Sequence, residues 1–244
     1  MAETVRLDKV FSNLGILSRS ECKKQAKKGF ITVNGEVVKE TERKVNPDSD
    51  IITYMDEVLY TKKYVYYMLN KPAGYITAND DRFSETVFDL VMDKRTDLSA
   101  VGRLDKDTTG ILLLTNDGDL NHRLLSPKNH VEKTYDVLID GALTENDVRK
   151  LEKGIDIGDE KPTLPAKVEI LSETNPQNVR LIITEGRFHQ VKRMFDALDK
   201  PVLSLHRSMF GPLKLDPELE EGTYRELTED EMKSIMQAAK REDY

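Results

Sequence analysis

The stretch Gly102–Gly118, GRLDKDTTGILLLTNDG, constrains this chain more than any other. An unbroken apolar run, Ile111 to Leu114, follows Gly110 and gives way to Thr115-Asn116-Asp117-Gly118. A run that short, bounded by a glycine and a turn, reads as a central strand and not as a helix. The turn that feeds it is acidic, with Asp105 and Asp107 placed just outside the expected core. A calcium loop, a turn that uses acids only for its geometry, and a carboxylate used in chemistry are the three readings of that arrangement.

Around this strand the periodicities alternate. YVYYMLNKPAGYIT reads as a strand, a turn at Lys71-Pro72-Ala73-Gly74, and more strand. SETVFDLVM predicts a short helix capped by Ser84, and DLNHRLLS a helix that ends before Pro127. KTYDVLI alternates as a strand does, and TENDVRKLEKG is a helix with Thr144 as its cap. AKVEILSE and NVRLIITEG read as paired strands. HQVKRMFDAL is a helix with Val191, Met194, Phe195 and Leu198 inward, and TEDEMKSIMQAAK closes the chain as an amphipathic helix. Strands outnumber helices and neighbours are joined by short turns. The fold class is α+β, with a mainly antiparallel mixed sheet flanked by helices over residues 61–244.

Residues 1–60 read as a separate small domain, with 61–65 as the linker. Leu7, Val10, Phe11 and Leu14 share one face of a short helix that Gly15 ends. Ser18 and Glu21 have capping-box spacing, and Asn34-Gly35 between β-rich flanks is a hairpin signal. The second helix carries Arg19, Lys23, Lys24, Lys27 and Lys28 against Glu21 alone. Like charges four residues apart repel by a few tenths of a kcal/mol unless an anion lies against them. A phosphate backbone turns that repulsion into attraction; an ordinary solvated face is the plainer reading.

Composition narrows the classes. A formal net charge of −7 excludes a protein that coats nucleic acid through its global field, so any such contact needs a local patch. One cysteine, Cys22, excludes a disulfide framework and a four-cysteine zinc site. His122 and His130 have no third ligand placed near them and read as structural or facing a nucleic acid, not as zinc ligands. The start lacks a signal peptide's apolar core, no apolar run approaches the ~20 residues of a membrane span, and a cytoplasmic protein is expected. No Walker-type or dinucleotide glycine pattern is present. Oligomeric state is not readable, with a monomer as the default.

For the acidic turn, the calcium reading fails on its ligands. DKDTTG has Asp105, Asp107 and Gly110 in place, but Thr109 and Asn116 stand where charged ligands belong. A turn-geometry role explains Asp107, Thr108 and Thr109 better than it explains Arg103-Leu104-Asp105. A carboxylate at a core edge needs a cation to stay ionised, and a charged acid there can act as nucleophile or base.

The front segment RLDKVFSNLGILSRSECKKQAKKGFITVNGEVV resembles the alpha-L motif, a small RNA-binding domain first described in a ribosomal small-subunit protein. That resemblance implies RNA contacts at Arg6, Arg19, Lys23, Lys24 and Lys27, with Lys28 beside them. GRLDKDTTGILLLTNDG resembles the signature of pseudouridine synthases. LNKPAGY (Leu69–Tyr75), EKTYDV (Glu132–Val137) and EGRFHQVKRMF (Glu185–Phe195) follow the same family's blocks in order. HQVKRM is most similar to members acting on small-subunit 16S rRNA, with action on 23S rRNA as the alternative.

The resemblance implies isomerisation of uridine to its C-glycoside with no cofactor and no metal, and ribosomal RNA as partner. It puts the essential carboxylate on Asp105, the cationic partner on Lys192, and the uracil-packing tyrosine on Tyr135. Arg103 would support the flipped nucleotide or fill its vacated stack, and Arg187, His189 and Arg193 would meet phosphates. Two readings from other classes compete. One is a silent rRNA-binding assembly factor. The other is a metal-dependent nuclease or calcium binder using Asp105, Asp107 and Asp117.

Overall fold

A computed structural model describes residues 4–59, 61, 63–79, 81–93, 97–172 and 177–241. They divide into two compact units, Met1–Tyr64 and Val65–Tyr244.

The front unit runs β1 (Val5–Arg6), α1 (Leu7–Asn13), α2 (Arg19–Lys27), β2 (Ile31–Val33), β3 (Glu36–Val37), β4 (Lys44–Val45), β5 (Ile52–Tyr54) and β6 (Glu57–Leu59). Ser18 and Glu21 close a reciprocal capping box on α2. Asn34 and Gly35 both take positive φ, 53° and 81°, as a two-residue hairpin demands. Leu7, Val10, Phe11, Cys22, Ala26, Ile31 and Ile52 fill the core. Leu14 does not join them and is 37% exposed. The helix stops at Asn13, so Leu14 is its cap residue and leaves the inward face.

The second unit runs β7 (Tyr66–Lys71), β8 (Ser99–Ala100), β9 (Thr109–Thr115), α3 (Gly118–Leu125), β10 (Lys133–Ile139), α4 (Glu145–Lys153), β11 (Lys167–Ile170), β12 (Asn178–Ile183), α5 (Gln190–Asp196), β13 (Val202–Phe210), β14 (Leu213–Lys214), β15 (Tyr224–Glu226) and α6 (Glu229–Ala238). The sheet order is β11-β12-β10-β13-β9-β7-β15, with β14 on β13 and β8 on β9. Among the described strands every pairing is antiparallel except β13 with β9.

β9 is an interior strand between β13 and β7, and its apolar run serves both faces. Leu112 and Leu114 pack with Tyr67, Leu69, Val137, Leu181, Met194 and Phe195. Ile111 and Leu113 pack with Met68, Phe210, Met232, Ile235 and Met236. Each such side chain contributes about 1.5–3 kcal/mol by leaving water. Helices α4 and α5 cover the first face, α3 and α6 the second. The parallel junction forces Gly110 against Arg207. Gly110 has φ +103°, and a Cβ there would overlap the Arg207 carbonyl oxygen.

The helix expected from Ser84 does not form; residues 84–92 run through bends and turns, with Thr86 in a lone parallel bridge to Ile76. Their amides are drawn elsewhere. Val87 donates to the Ile76 carbonyl at 3.0 Å, and Thr86 to the Asp89 side chain at 2.7 Å. Val87 and Val91 are buried, so burial and not helix period set the apolar spacing. No helix among the described residues is long and apolar enough to cross a membrane.

Candidate active site

The loop between β8 and β9 carries Asp105, and the fold holds it from three sides. The Thr77 hydroxyl donates to the Leu104 carbonyl at 2.8 Å and accepts from the Leu104 amide at 3.1 Å. The Gly74 amide donates to the Lys106 carbonyl at 2.8 Å. From the end of β7, Lys71 is fully buried and its ammonium donates to the carbonyls of Pro72 (2.9 Å) and Thr108 (2.8 Å), and at 3.4 Å to that of Lys106. Leu104 itself is 5% exposed and pins the loop into the core. The backbone around Asp105 is thereby fixed while its side chain stays 27% exposed.

α5 supplies what faces that carboxylate. Lys192 places Nζ 3.3 Å from Asp105 Oδ2 and 2.6 Å from Asp107 Oδ1. Burial alone would lower the Lys192 ammonium; the hydrogen bond to Asp107 and the charge of Asp105 outweigh it and leave it raised. The same hydrogen bond holds the Asp107 carboxyl below its usual range. His189, at the start of α5 with φ 46°, brings Nε2 to 3.4 Å from Asp105 Oδ1.

These groups edge a cleft of about 580 Å³. That volume suits a small ligand. Tyr135 on β10 lines it and is 7% exposed. Arg103 lines it from an exposed position on the rim. Lys133 and Arg207 form a buried cationic side, 8% and 2% exposed. Both stand over the Phe210 ring, at 5.7 and 5.2 Å. Burial, then the charge of Arg207, pushes the Lys133 ammonium down to about 8. Burial likewise takes Lys71 down to about 8, against the pull of Asp107 and Asp105.

Sequence reasoning missed Lys71, Lys133, Arg207 and Thr77. For Lys133 a signal was present, since it shares strand parity with Tyr135 and Val137. Arg187 and Arg193, expected on phosphates, are committed to protein acceptors. Arg187 donates to the carbonyls of Lys161 (2.6 Å) and Pro162 (2.8 Å) and pairs with Glu185 and Asp159. Arg193 donates to the carbonyls of Ile157 (2.6 Å) and Phe188 (3.1 Å) and pairs with Asp159. Together they clamp the segment 157–162. Asp117, the third acid of the metal reading, is buried as the cap of α3 and paired with Arg241. Among the described residues, no group of three or more His, Cys, Asp or Glu is placed to hold a metal ion.

In the front unit, Lys23, Lys24, Lys27, Lys28 and Arg19 are exposed along α2. Lys23 lies 3.6 Å from Glu42. Arg6 is held in a two-point hydrogen bond by the buried Asp8, at 2.6 and 3.1 Å, and that contact lowers the Asp8 carboxyl.

Comparison with known proteins matches this architecture part by part. Residues 65–197 match the RNA pseudouridylate synthase family, and residues 5–51 match the S4 domain. An uncharacterized RNA pseudouridine synthase of Bacillus subtilis is 43% identical over 93% of this chain and 97% of its own. Ribosomal small subunit pseudouridine synthase A is 43% identical in Haemophilus influenzae and 38% in Escherichia coli, each over 95% of this chain and 100% of the relative. A crystal structure of a pseudouridylate synthase superposes with a TM-score of 0.67 at 42% identity, covering 95% of this chain and 99% of that one. In fold, sequence and length the chain belongs to the RNA pseudouridylate synthase family, with an S4 domain ahead of the synthase unit.

Proposed function

We propose that this protein converts a uridine of small-subunit ribosomal RNA to pseudouridine, with Asp105 as the essential carboxylate. The observation that carries the reading is the pairing of Asp105 with Lys192, at 3.3 Å, on the edge of a cleft lined by Tyr135. The names of the Haemophilus and Escherichia relatives support the small subunit as the source of the substrate.

The reaction exchanges one bond to the sugar for another. N1–C1′ breaks, the uracil turns, C5–C1′ forms, C5 loses its proton and N1 gains one, so no oxidant or reductant is consumed. Asp105 either attacks C1′ or takes the 2′ proton to give a glycal, and both routes require it ionised. Lys192 sets its ammonium 3.3 Å from that carboxylate, a positive charge beside the reacting group. Tyr135 packs on the uracil and assists the loss of the C5 proton. The buried charges of Lys133 and Arg207 favour the electron-rich uracil released when N1–C1′ opens. Arg103 supports the everted nucleotide or occupies the gap it leaves, at a flipping cost of a few kcal/mol. On the front unit, Arg19, Lys23, Lys24, Lys27 and Lys28 meet RNA phosphates, while Arg6 orders the turn through Asp8.

The test is Asp105→Asn, assayed by tritium release from C5-labelled uridine in ribosomal RNA. Turnover should fall at least a thousandfold with the melting temperature unchanged. Wild-type turnover would end the assignment. Tight binding of ribosomal RNA by the wild-type protein with no pseudouridine on any ribosomal particle would instead leave a binding factor.

A further inference from the structure

We infer that Phe188 is a stacking platform for an unpaired RNA base next to the target uridine. The inference rests on the proposed reading of the cleft as a uridine site and adds how the neighbouring nucleotide is held.

Phe188 is 71% exposed, yet its backbone is tied into the cleft wall. Its carbonyl accepts from Arg193, and the preceding amide of Arg187 donates to the Gln190 side chain at 2.9 Å. Gln190 is 3% exposed and donates onward to Glu185 at 2.9 Å. The ring is therefore presented by a rigid turn and not left out by a loose one. A flat aromatic ring held out on a pinned turn offers a face that another ring can stack on without reordering the chain.

The ring's geometry names the partner. Phe188 stacks on His189 with centroids 3.8 Å apart and planes 18° from parallel. His189 in turn reaches Asp105. The stack thus stands beside the proposed reacting sugar through the Nε2 edge of His189, and the exposed Phe188 ring offers a face on which a further flat ring can continue the pile. Exposed cations stand on the same cleft, Arg103 and Lys106, where a phosphate backbone would run. A flat π-face beside cations is what a nucleobase recognises, whereas an aliphatic protein anchor would need a concave apolar pocket. Phe83 and Met92 are also exposed but do not line the cleft.

The chain has no tryptophan, so Phe188→Trp introduces a single reporter. In an Asp105→Asn background, a small-subunit ribosomal RNA transcript should at least halve the indole emission. Heparin, a polyanion without bases, should leave it unchanged. RNA that binds in a filter assay without altering the emission overturns the proposal. In the active enzyme, Phe188→Ala should raise KM about tenfold, within the range that base–aromatic stacking gives on truncation. Single-turnover rate at saturating RNA should change less than threefold, Phe188→Tyr should match wild type, and Phe188→Leu should resemble Phe188→Ala. A fully active Phe188→Leu would mean an apolar contact without stacking and overturns it as well. Indole quenching with wild-type turnover in Asp105→Asn would sink the catalytic reading and spare the platform. Normal pseudouridine formation without quenching would do the reverse.

Discussion

The Lys192 ammonium lies 3.3 Å from Asp105 and closer still, 2.6 Å, to Asp107. One cation on α5 therefore serves two acids of the same loop, and they differ in exposure: the Asp105 side chain is 27% exposed and that of Asp107 72%. Removing the ammonium leaves two carboxylates on one loop, with His189 beside Asp105 and the buried Lys71 acting on both from beneath the turn. Lys192→Ala should lower kcat by about 10²-fold or more, the scale seen when one preorganised charge-stabilising group is lost. KM should change much less. Lys192→Arg should recover part of kcat, because the charge returns with a different reach. Asp107→Asn should stay within a few-fold of wild type, since Lys192 then has Asp105 to itself. Single-turnover kinetics on ribosomal RNA separate these cases; equal losses in the two aspartate variants would contradict the division of roles.

Lys71 carries a structural load. Its buried ammonium satisfies carbonyls on both sides of the Asp105 turn. Lys71→Met keeps the length and loses the donors, leaving those carbonyls without partners in the core. A loss of roughly 2–4 kcal/mol in urea denaturation is expected. A variant as stable as wild type would show that water replaces the ammonium there.

The elements with their own local signals were legible in the chain. The capping box of α2, the Thr144 cap of α4 and the Asn34-Gly35 hairpin need only neighbouring residues to form, and the structure has them. The apolar run of β9 declared itself by its length and its bounds. The segment 84–92 misled because Val87 and Val91 keep a helical spacing while their backbone bonds to Ile76 and within its own turns. The site was harder for a related reason. Lys71, Lys133 and Arg207 lie in strands, where a basic residue looks the same whether it faces solvent or the core. Only sheet register decides: Tyr135 stands opposite Arg207, and Lys133 opposite Phe210. The arginines of the EGRFHQVKRMF block show the converse. Their motif marks the site, but Asp159 and the carbonyls of 157–162 absorb their donors.

That last arrangement is itself testable. Arg193→Ala should loosen the 157–162 segment and lower Tm by roughly 3–6 °C. The salt dependence of RNA binding should not change, because a guanidinium spent on protein carbonyls releases no counterion from RNA. A slope lower by about one unit would instead return Arg193 to the phosphates.

Lys133 links the cleft to pH. Its folded-state value, about 8, lies below the ordinary 10.5. Below pH 8 the folded and unfolded chains both hold the proton, so the cost of burying the charge is carried in full. Between about 8 and 10.5 the folded chain has released the proton and the unfolded chain has not. Stability must therefore rise with pH across that window, by roughly 3 kcal/mol from this group as an upper bound. Other lysines and tyrosines titrate there too, so the quantity to measure is the difference between wild type and Lys133→Met. That difference should climb in favour of wild type from pH 7.5 to 10.5. A flat difference would mean that Lys133 is solvated well enough to keep an ordinary affinity for its proton.

On the front unit, the charge arrangement of α2 separates residues that look equivalent in sequence. Lys23, Lys24, Lys27 and Lys28 are all exposed, but Lys23 lies 3.6 Å from Glu42, a carboxylate that it shares with Arg6. An ammonium already near a carboxylate gains less from a phosphate, since part of its field is cancelled at short range. Replacing Lys24 and Lys27 with glutamine should weaken ribosomal RNA binding and cut the slope of log K against log salt by about two units. Replacing Lys23 alone should cost less than either of the other two alone. Because the net charge of the chain is −7, the effect cannot come from a general positive field and must report local contacts. An unaltered slope in the Lys24/Lys27 double variant would place the RNA on another face of the domain.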